Sequence, residues 1–345
     1  MNFISDNQST VFPEIIEYLQ EVNKNSSPSY GNDIVTNKAK NLISDFFEKE
    51  VEVRYVSSGT ASNSIALSTI SPPYGGILCS DNSHLDGDEC GAPEFFTGGA
   101  KLIKIPTSNG IISSKTLKQK INSFGLHGIH EVKLSVLDIT QISELGTIYT
   151  AEELKELTYI AHKNNMLTHM DGARFANACA SLNCNPSEIT WKSGIDIMSL
   201  GATKNGAMAC ELIVVFDPKI IDDIDRRQKR AGHLWSKNRY MAAQIIKWIE
   251  NDRWLKAATK ANNYAKNIHE ILKSNKNINI PFSIDGNMVF AEIPSKIQKY
   301  LLKKNVKFNK WPNKKNLTRF VASWDTKQSE INNLKKIIKT INENI

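Results

Sequence analysis

Between residues 51 and 216 short apolar runs alternate with amphipathic stretches, a rhythm that leaves few folds open. Val51–Val56 reads as a strand and Thr60–Ile70 as a helix. Gly76–Cys79, Leu102–Ile105, Lys133–Ile139, Met166–Met170, Ile195–Leu200 and Leu212–Phe216 read as further strands. Ala151–Asn164 reads as a helix, because Thr150 followed by Glu152 and Glu153 supplies an N-cap and early acidic residues for the free amides. Such alternation predicts an α/β fold with a mainly parallel central sheet and helices on both faces. From Pro218 to about Lys273 the pattern is helical. Beyond Pro281 it changes to strand Asn287–Ile293, helix Ser295–Lys304, strand Leu317–Ala322 and helix Lys327–Ile341, a small α+β domain. The expected division is 1–250 for an N-terminal arm and large domain, and 251–345 for the small domain.

Charge and cysteines narrow the partners. The net charge of +7 is uneven: residues 251–345 hold 19 Lys and Arg against 7 Asp and Glu, so this part carries +12 and the first 250 residues −5. The excess is almost all lysine set between apolar residues at helical spacing, without interleaved aromatics, which describes a solvated helix face rather than a nucleic-acid surface. No apolar run approaches the length that spans a bilayer, and the first residues lack a basic and apolar leader, so no membrane partner and a cytoplasmic setting are expected. Five cysteines, an odd number without a CxxC pair, argue for reduced thiols and against a metal site or disulfide framework.

In an open parallel sheet ligands bind at the carboxyl ends of the strands. After Val51–Val56 comes Ser57-Ser58-Gly59-Thr60-Ala61-Ser62-Asn63, which runs into a helix. Gly59 permits close backbone approach to an anion, the helix start offers free amides, and the Ser58 and Thr60 hydroxyls add donors. No Gly-Lys-Ser/Thr comes next, so this is a phosphate cup of another kind than a P-loop. After Met166–Met170 comes Asp171-Gly172-Ala173-Arg174, and after Ile195–Leu200 comes Gly201-Ala202-Thr203-Lys204-Asn205-Gly206. Lys204 stands one helix-plus-strand unit beyond Asp171, which sets their strand ends side by side. A carboxylate there can hold the pyridinium N–H of pyridoxal 5′-phosphate while the lysine amine reaches its aldehyde. Taken singly, Lys204 is one lysine among many and Asp171 a helix cap; cup, acid and lysine in order, each at a strand end, form a cofactor site. His84, after the strand at Cys79, can stack on the cofactor ring, with Asp88 just beyond.

These segments resemble the low-specificity L-threonine aldolases, pyridoxal-phosphate enzymes of transferase fold type I in the beta-eliminating lyase group. The resemblance rests on Ser5-Asp6-Asn7, Tyr30-Gly31-Asn32-Asp33, Ser58-Gly59-Thr60-Ala61-Ser62-Asn63, Ser83-His84 with Asp88-Glu89-Cys90-Gly91-Ala92-Pro93-Glu94, His169-Met170-Asp171-Gly172-Ala173-Arg174, Thr203-Lys204-Asn205-Gly206, Lys229-Arg230-Ala231-Gly232-His233 and Thr318-Arg319-Phe320. It implies that Lys204 binds the cofactor covalently, that Asp171 pairs with the ring nitrogen, that Ser58, Gly59 and Thr60 hold the phosphate, and that Thr203 also contacts the cofactor. His84 would stack on the ring. Arg174, lying beside the cofactor, and Arg319 would clamp the substrate carboxylate with Ser5, and Tyr30 would approach the site from the N-terminal arm, across a subunit interface if the chain forms a homodimer or homotetramer.

The implied reaction is cleavage of L-threonine or L-allo-threonine to glycine and acetaldehyde. Phenylserine cleavage, β-elimination or a non-catalytic binding protein of the same fold are the alternatives on this scaffold. Many threonine aldolases carry a histidine after the strand that corresponds to Lys133–Ile139; here the stretch Asp138-Ile139-Thr140-Gln141-Ile142-Ser143-Glu144 has none. His84, directly or through a water, is the expected base for the substrate hydroxyl, with Asp88 orienting it.

Overall fold

The computed structural model describes residues 1–221, 223–312 and 314–344. Seven strands form the main sheet: β1 (Glu52–Val56), β2 (Gly75–Ser80), β3 (Lys101–Ile105), β4 (Lys133–Thr140), β5 (Leu167–Gly172), β6 (Ile197–Gly201) and β7 (Glu211–Val215). Their order across the sheet is β1-β7-β6-β5-β4-β2-β3. Only β7 opposes its neighbours, so the other six run in one direction and end at one edge. Each strand of the expected set is present, with ends displaced by at most two residues.

Alternation along the strands divides the core between the two faces. Leu137, Met170, Met198, Leu200, Leu212 and Val214 pack on one face with the helices Ile34–Phe46, Ala151–Lys163, Phe175–Leu182 and Arg239–Ile249. Val136, Ile197, Ile213 and Val215 pack on the other with the helix Gly59–Ile70. That helix is buried on almost every residue and therefore shows no amphipathic pattern. Its run of Ala61, Ser62, Asn63, Ser64 and Ala66 is small enough to lie close over β5, β6 and β7. The helical stretch from Pro218 to Lys273 is broken into the 3-10 turn Pro218–Ile220 and the helices Ile224–Arg230, Arg239–Ile249 and Arg253–Lys273, the last two joined by the 3-10 turn Glu250–Asp252; residue 222 lies outside the described residues.

A second sheet comes after these helices, of order β8-β10-β9 and antiparallel throughout, from β8 (Met288–Glu292), β9 (Asn309–Lys310) and β10 (Leu317–Val321). Its outer core joins Phe320 and Val289 to Leu334 and Ile338 of the terminal helix Gln328–Asn344. Phe3 belongs to the same cluster: its amide donates to Lys307 O at 2.9 Å and its carbonyl accepts from the Val321 amide at 2.9 Å. The chain's first residues are thus stitched to the small sheet, although residues 5–6 must then lie over the large one.

The tightest juncture of the large sheet is Gly201, at the end of β6. A Cβ there would lie 2.7 Å from both Cα and O of Ala173, backbone that cannot swing away. Gly201→Ala is expected to force the two turns apart and to destabilise the protein by about 1–3 kcal/mol, read as a lower urea midpoint with an unchanged slope.

Candidate active site

Five of the six co-directional strands deliver polar groups to the shared edge. Past β1, Ser58 caps the helix Gly59–Ile70, its hydroxyl accepting from the Ala61 amide at 3.2 Å. The amides of Gly59 and Thr60 stand at the open end of the first turn, where the helix dipole favours an anion. A Cβ on Gly59 would meet nothing within 4 Å, so there is open space before these amides. One turn further Asn63 reaches Asp171: its Nδ2 donates to Asp171 Oδ2 at 2.9 Å. The cup and the acid thus share a helix.

β5 and β6 are adjacent and parallel, with Asp171 opposite Ser199 and Gly172 opposite Leu200. This register sets Asp171 beside the turn that carries Lys204. Asp171 is 4 % exposed, and its Oδ1 accepts from the Ala173 amide at 2.9 Å. Burial works to raise its pKa; the nearby charges of His84 and Lys204, with the bonds from Ala173 and Asn63, outweigh it and hold the carboxyl below the ordinary value. Lys204 Nζ makes no hydrogen bond or ion pair with any described residue. Desolvation, reinforced by the positive charge of Arg174, lowers its pKa against the pull of Asp6, Asp171 and Glu211. An amine without a partner, eased toward its neutral form beside an ionised carboxylate, is a poised nucleophile. Glu211 lies behind it, pushed up to about 7 by burial. The Thr203 hydroxyl bonds to the backbone of Cys210, donating to its carbonyl and accepting from its amide at 3.1 Å.

His84 enters from the turn after β2. Its Nδ1 lies 3.0 Å from Glu89 Oε1, and its backbone amide donates to Glu144 Oε1 at 2.7 Å. The bond to Glu89 raises its pKa against desolvation, with help from Asp171. Glu144, from the loop after β4, is pushed up to about 7 by burial, and its Oε2 is enclosed without a partner. Asp88 is exposed, within range for its charge to act on Arg319. His127 and His130 are exposed ahead of β4.

The two arginines come together but in different states. Arg174 forms a fork with Asp6, Nε to Oδ2 at 2.7 Å and Nη2 to Oδ1 at 2.8 Å, leaving Nη1. Asn287, just before β8, also donates to Asp6 Oδ2, at 3.0 Å. Arg319 pairs with no carboxylate among the described residues. On β10 it shares the face of Leu317 and Val321, which lie in the main core, while Phe320 faces away into the small one. Among the described residues its side chain's close partner is the Trp311 ring, 5.5 Å away, and its Nε is buried without an acceptor. Burial and the charge of Arg174 lower its pKa to about 10. Two guanidiniums, one of them unanswered, define a place for an anion. Ser5 lies beside Asp6, its hydroxyl oxygen accepting from the Asn7 amide at 3.1 Å. Tyr30 stands apart: it is 48 % exposed, under Lys229, in a pocket with Arg54, Gln228 and Asn238.

These groups fit pyridoxal phosphate: Lys204 for the aldehyde, Asp171 for the ring nitrogen, and the amides of Gly59 and Thr60 for the phosphate. The fold and the donor set define a pyridoxal-phosphate enzyme of transferase fold type I. Comparison with known proteins narrows the class. Residues 2–294 match the beta-eliminating lyase family. The chain is 35 % identical to the low-specificity L-threonine aldolase of a Pseudomonas species over 98 % of this chain and 97 % of that one. It is 34 % identical to that of Pseudomonas aeruginosa, with the same coverage. The solved threonine aldolase of Leishmania major superposes with a TM-score of 0.91 at 22 % identity, over 99 % of both chains, a likeness of fold. The chain belongs to the beta-eliminating lyase family.

Sequence reasoning assigned no role to Asp6, Asn63, Glu89, Glu144, Glu211 or Asn287. Asp6, Asn63 and Glu89 lay within the family-like motifs; Glu144, Glu211 and Asn287 had no local signal, since burial alone makes them notable. The Asp6–Arg174 pair is nearly enclosed, at 1 % and 12 % side-chain exposure. Asp6→Ala would leave a buried cation uncompensated and is expected to cost about 3–5 kcal/mol in urea unfolding. Because the Asp6 pKa is lowered in the fold from 3.8, the pair's contribution is full above that value and is lost as pH falls through the folded pKa.

Proposed function

We propose that this protein cleaves L-threonine and L-allo-threonine to glycine and acetaldehyde with pyridoxal phosphate. The observation that carries the reading is Lys204, an unpartnered amine set beside an ionised Asp171, together with the unpaired Arg319 near Arg174. Full-length identity of 34–35 % to two low-specificity L-threonine aldolases supports the substrate.

Pyridoxal phosphate, when bound, supplies an aldehyde that captures amines and a ring that accepts the electron pair of the broken Cα–Cβ bond. Lys204 would hold the cofactor's aldehyde and would yield that place to the substrate amine. Asp171 keeps the proton on the ring nitrogen, which maintains the ring's pull on electrons. Gly59, Thr60 and Ser58 bind the phosphate, with Thr203 bracing the Lys204 turn. Arg319, the free Nη1 of Arg174 and the Ser5 hydroxyl grip the substrate carboxylate, since a guanidinium fork matches a planar carboxylate. That grip would orient the substrate about Cα, and so select which bond breaks. His84 lies against the ring and takes the β-hydroxyl proton at Nε2, with Asp88 orienting the hydroxyl. In this division residues 1–250 carry the cofactor, and 251–345 bring Arg319 to it.

Tyr30 and the loop around it, remote from Lys204 in the single chain, complete the site of a second copy in a two-fold homodimer or a homotetramer. Light scattering that finds a fully active monomer would contradict this assembly.

Borohydride reduction of the loaded protein and subsequent peptide mapping are expected to mark Lys204, and Lys204→Ala to lose turnover and the visible absorbance band. Arg319→Ala is expected to raise KM for threonine and lower kcat with cofactor binding intact, and Arg319→Lys to restore only part. Label on another lysine, or ordinary kinetics in Arg319→Ala, would overturn the assignment.

A further inference from the structure

His84, Glu89, Asn63 and Asp171 form one unbroken hydrogen-bonded chain. His84 Nδ1 lies 3.0 Å from Glu89 Oε1, Asn63 Nδ2 donates to the same Oε1 at 2.8 Å, and also to Asp171 Oδ2 at 2.9 Å. One amide nitrogen therefore spends both hydrogens between two buried carboxylates. The amide cannot turn over, because Asn63 Oδ1 would then face both anions. That oxygen is left buried with no partner, as is Glu89 Oε2. Two unsatisfied acceptors are a cost a purely structural contact would not retain. Glu89 is fully enclosed and its sole ion-pair partner among the described residues is His84.

The geometry has two consequences. A carboxylate acceptor at Nδ1 requires the hydrogen on that nitrogen, so Nε2 is the His84 atom free to take a proton, the arrangement that orients a catalytic imidazole. Asp171 is fixed by two donors from two elements, Asn63 of the helix and Ala173 of the turn, so its plane cannot rotate away from a ring nitrogen.

We propose that Asn63 and Glu89 are positioning residues that join the proton acceptor His84 to the ring-nitrogen partner Asp171, so that one bridge sets the state of both. The inference rests on the roles proposed above for His84 and Asp171. The charged groups facing His84 are Glu89, Asp171 and Lys204, with Glu144 at its backbone amide.

The bridge predicts opposed signs. In Glu89→Gln the anion at Nδ1 is gone, His84 holds its proton less tightly, and the acidic limb of kcat/KM moves down by about 1 pH unit. In Asn63→Ala both carboxylates lose a donor and become more basic; Glu89 then holds the His84 proton more tightly, and the limb moves up. The pH at which the visible band of the holoenzyme changes, measured without substrate, is expected to shift in the same two directions. Limbs and band that stay in place, or that move together in both variants, overturn the proposal. The absorbance titration needs no threonine cleavage, so a wild-type protein inactive on threonine would defeat the aldolase assignment and leave this test standing. Should Asn63→Ala not fold, a Glu89→Gln protein with an unmoved band overturns the proposal by itself.

Discussion

The parallel pairing of β5 with β6 is the constraint on which the rest of the site depends. It sets Asp171 and Gly172 opposite Ser199 and Leu200, so the turns that leave the two strands emerge together and carry the acid and Lys204 side by side. The close approach is possible because Gly201 has no side chain to meet the Ala173 backbone. The reversed strand β7 serves the same end. Placed between β1 and β6, it pairs with both while letting β1 keep the common direction, so the helix start at Gly59 faces the same edge as Asp171.

Charge is arranged by pairing some groups and withholding partners from others. Asp6 closes on Arg174 and Asn287 supports Asp6, which leaves Arg319 as the guanidinium without an anion. The buried Lys204 is treated likewise: carboxylates lie within range of its charge, yet none bonds to it. A site whose cations were all paired internally would gain stability and lose its appetite for a substrate carboxylate. Here one pair is complete and two cations, Arg319 and Lys204, are kept open, a local departure from the rule that buried charges are matched.

The two sheets meet through the ends of the chain. Residues 1–3 bond along the small sheet, Asp6 then binds the large one, and β10 turns Arg319 inward between Leu317 and Val321. The small sheet's position therefore governs the distance between Arg319 and Arg174, and with it the span available for a substrate.

Much of this was legible in the amino-acid order. The strand–helix alternation, the cup at Ser58-Gly59-Thr60, and the spacing of Asp171 and Lys204 are local patterns, and a local pattern determines strand direction and the residues that stand at each strand end. The helix Gly59–Ile70 was readable by its cap and by its place after β1, although burial on all sides removed its periodicity. Arg319 was readable as a candidate through the family-like Thr318-Arg319-Phe320 segment. The hidden part was which polar groups bond to one another. Asp6 and Arg174 lie 168 positions apart, Asn63 and Asp171 108, and His84 meets the Glu144 carboxylate 60 positions away. The order of residues by itself determined the sheet, its edge and which residues stand at the strand ends there. Only the tertiary structure decided that Arg174 is paired while Arg319 is not, that the Thr203 hydroxyl is occupied, and that Glu89 and Glu144 line the site, because hydrogen bonding and desolvation depend on distance in space.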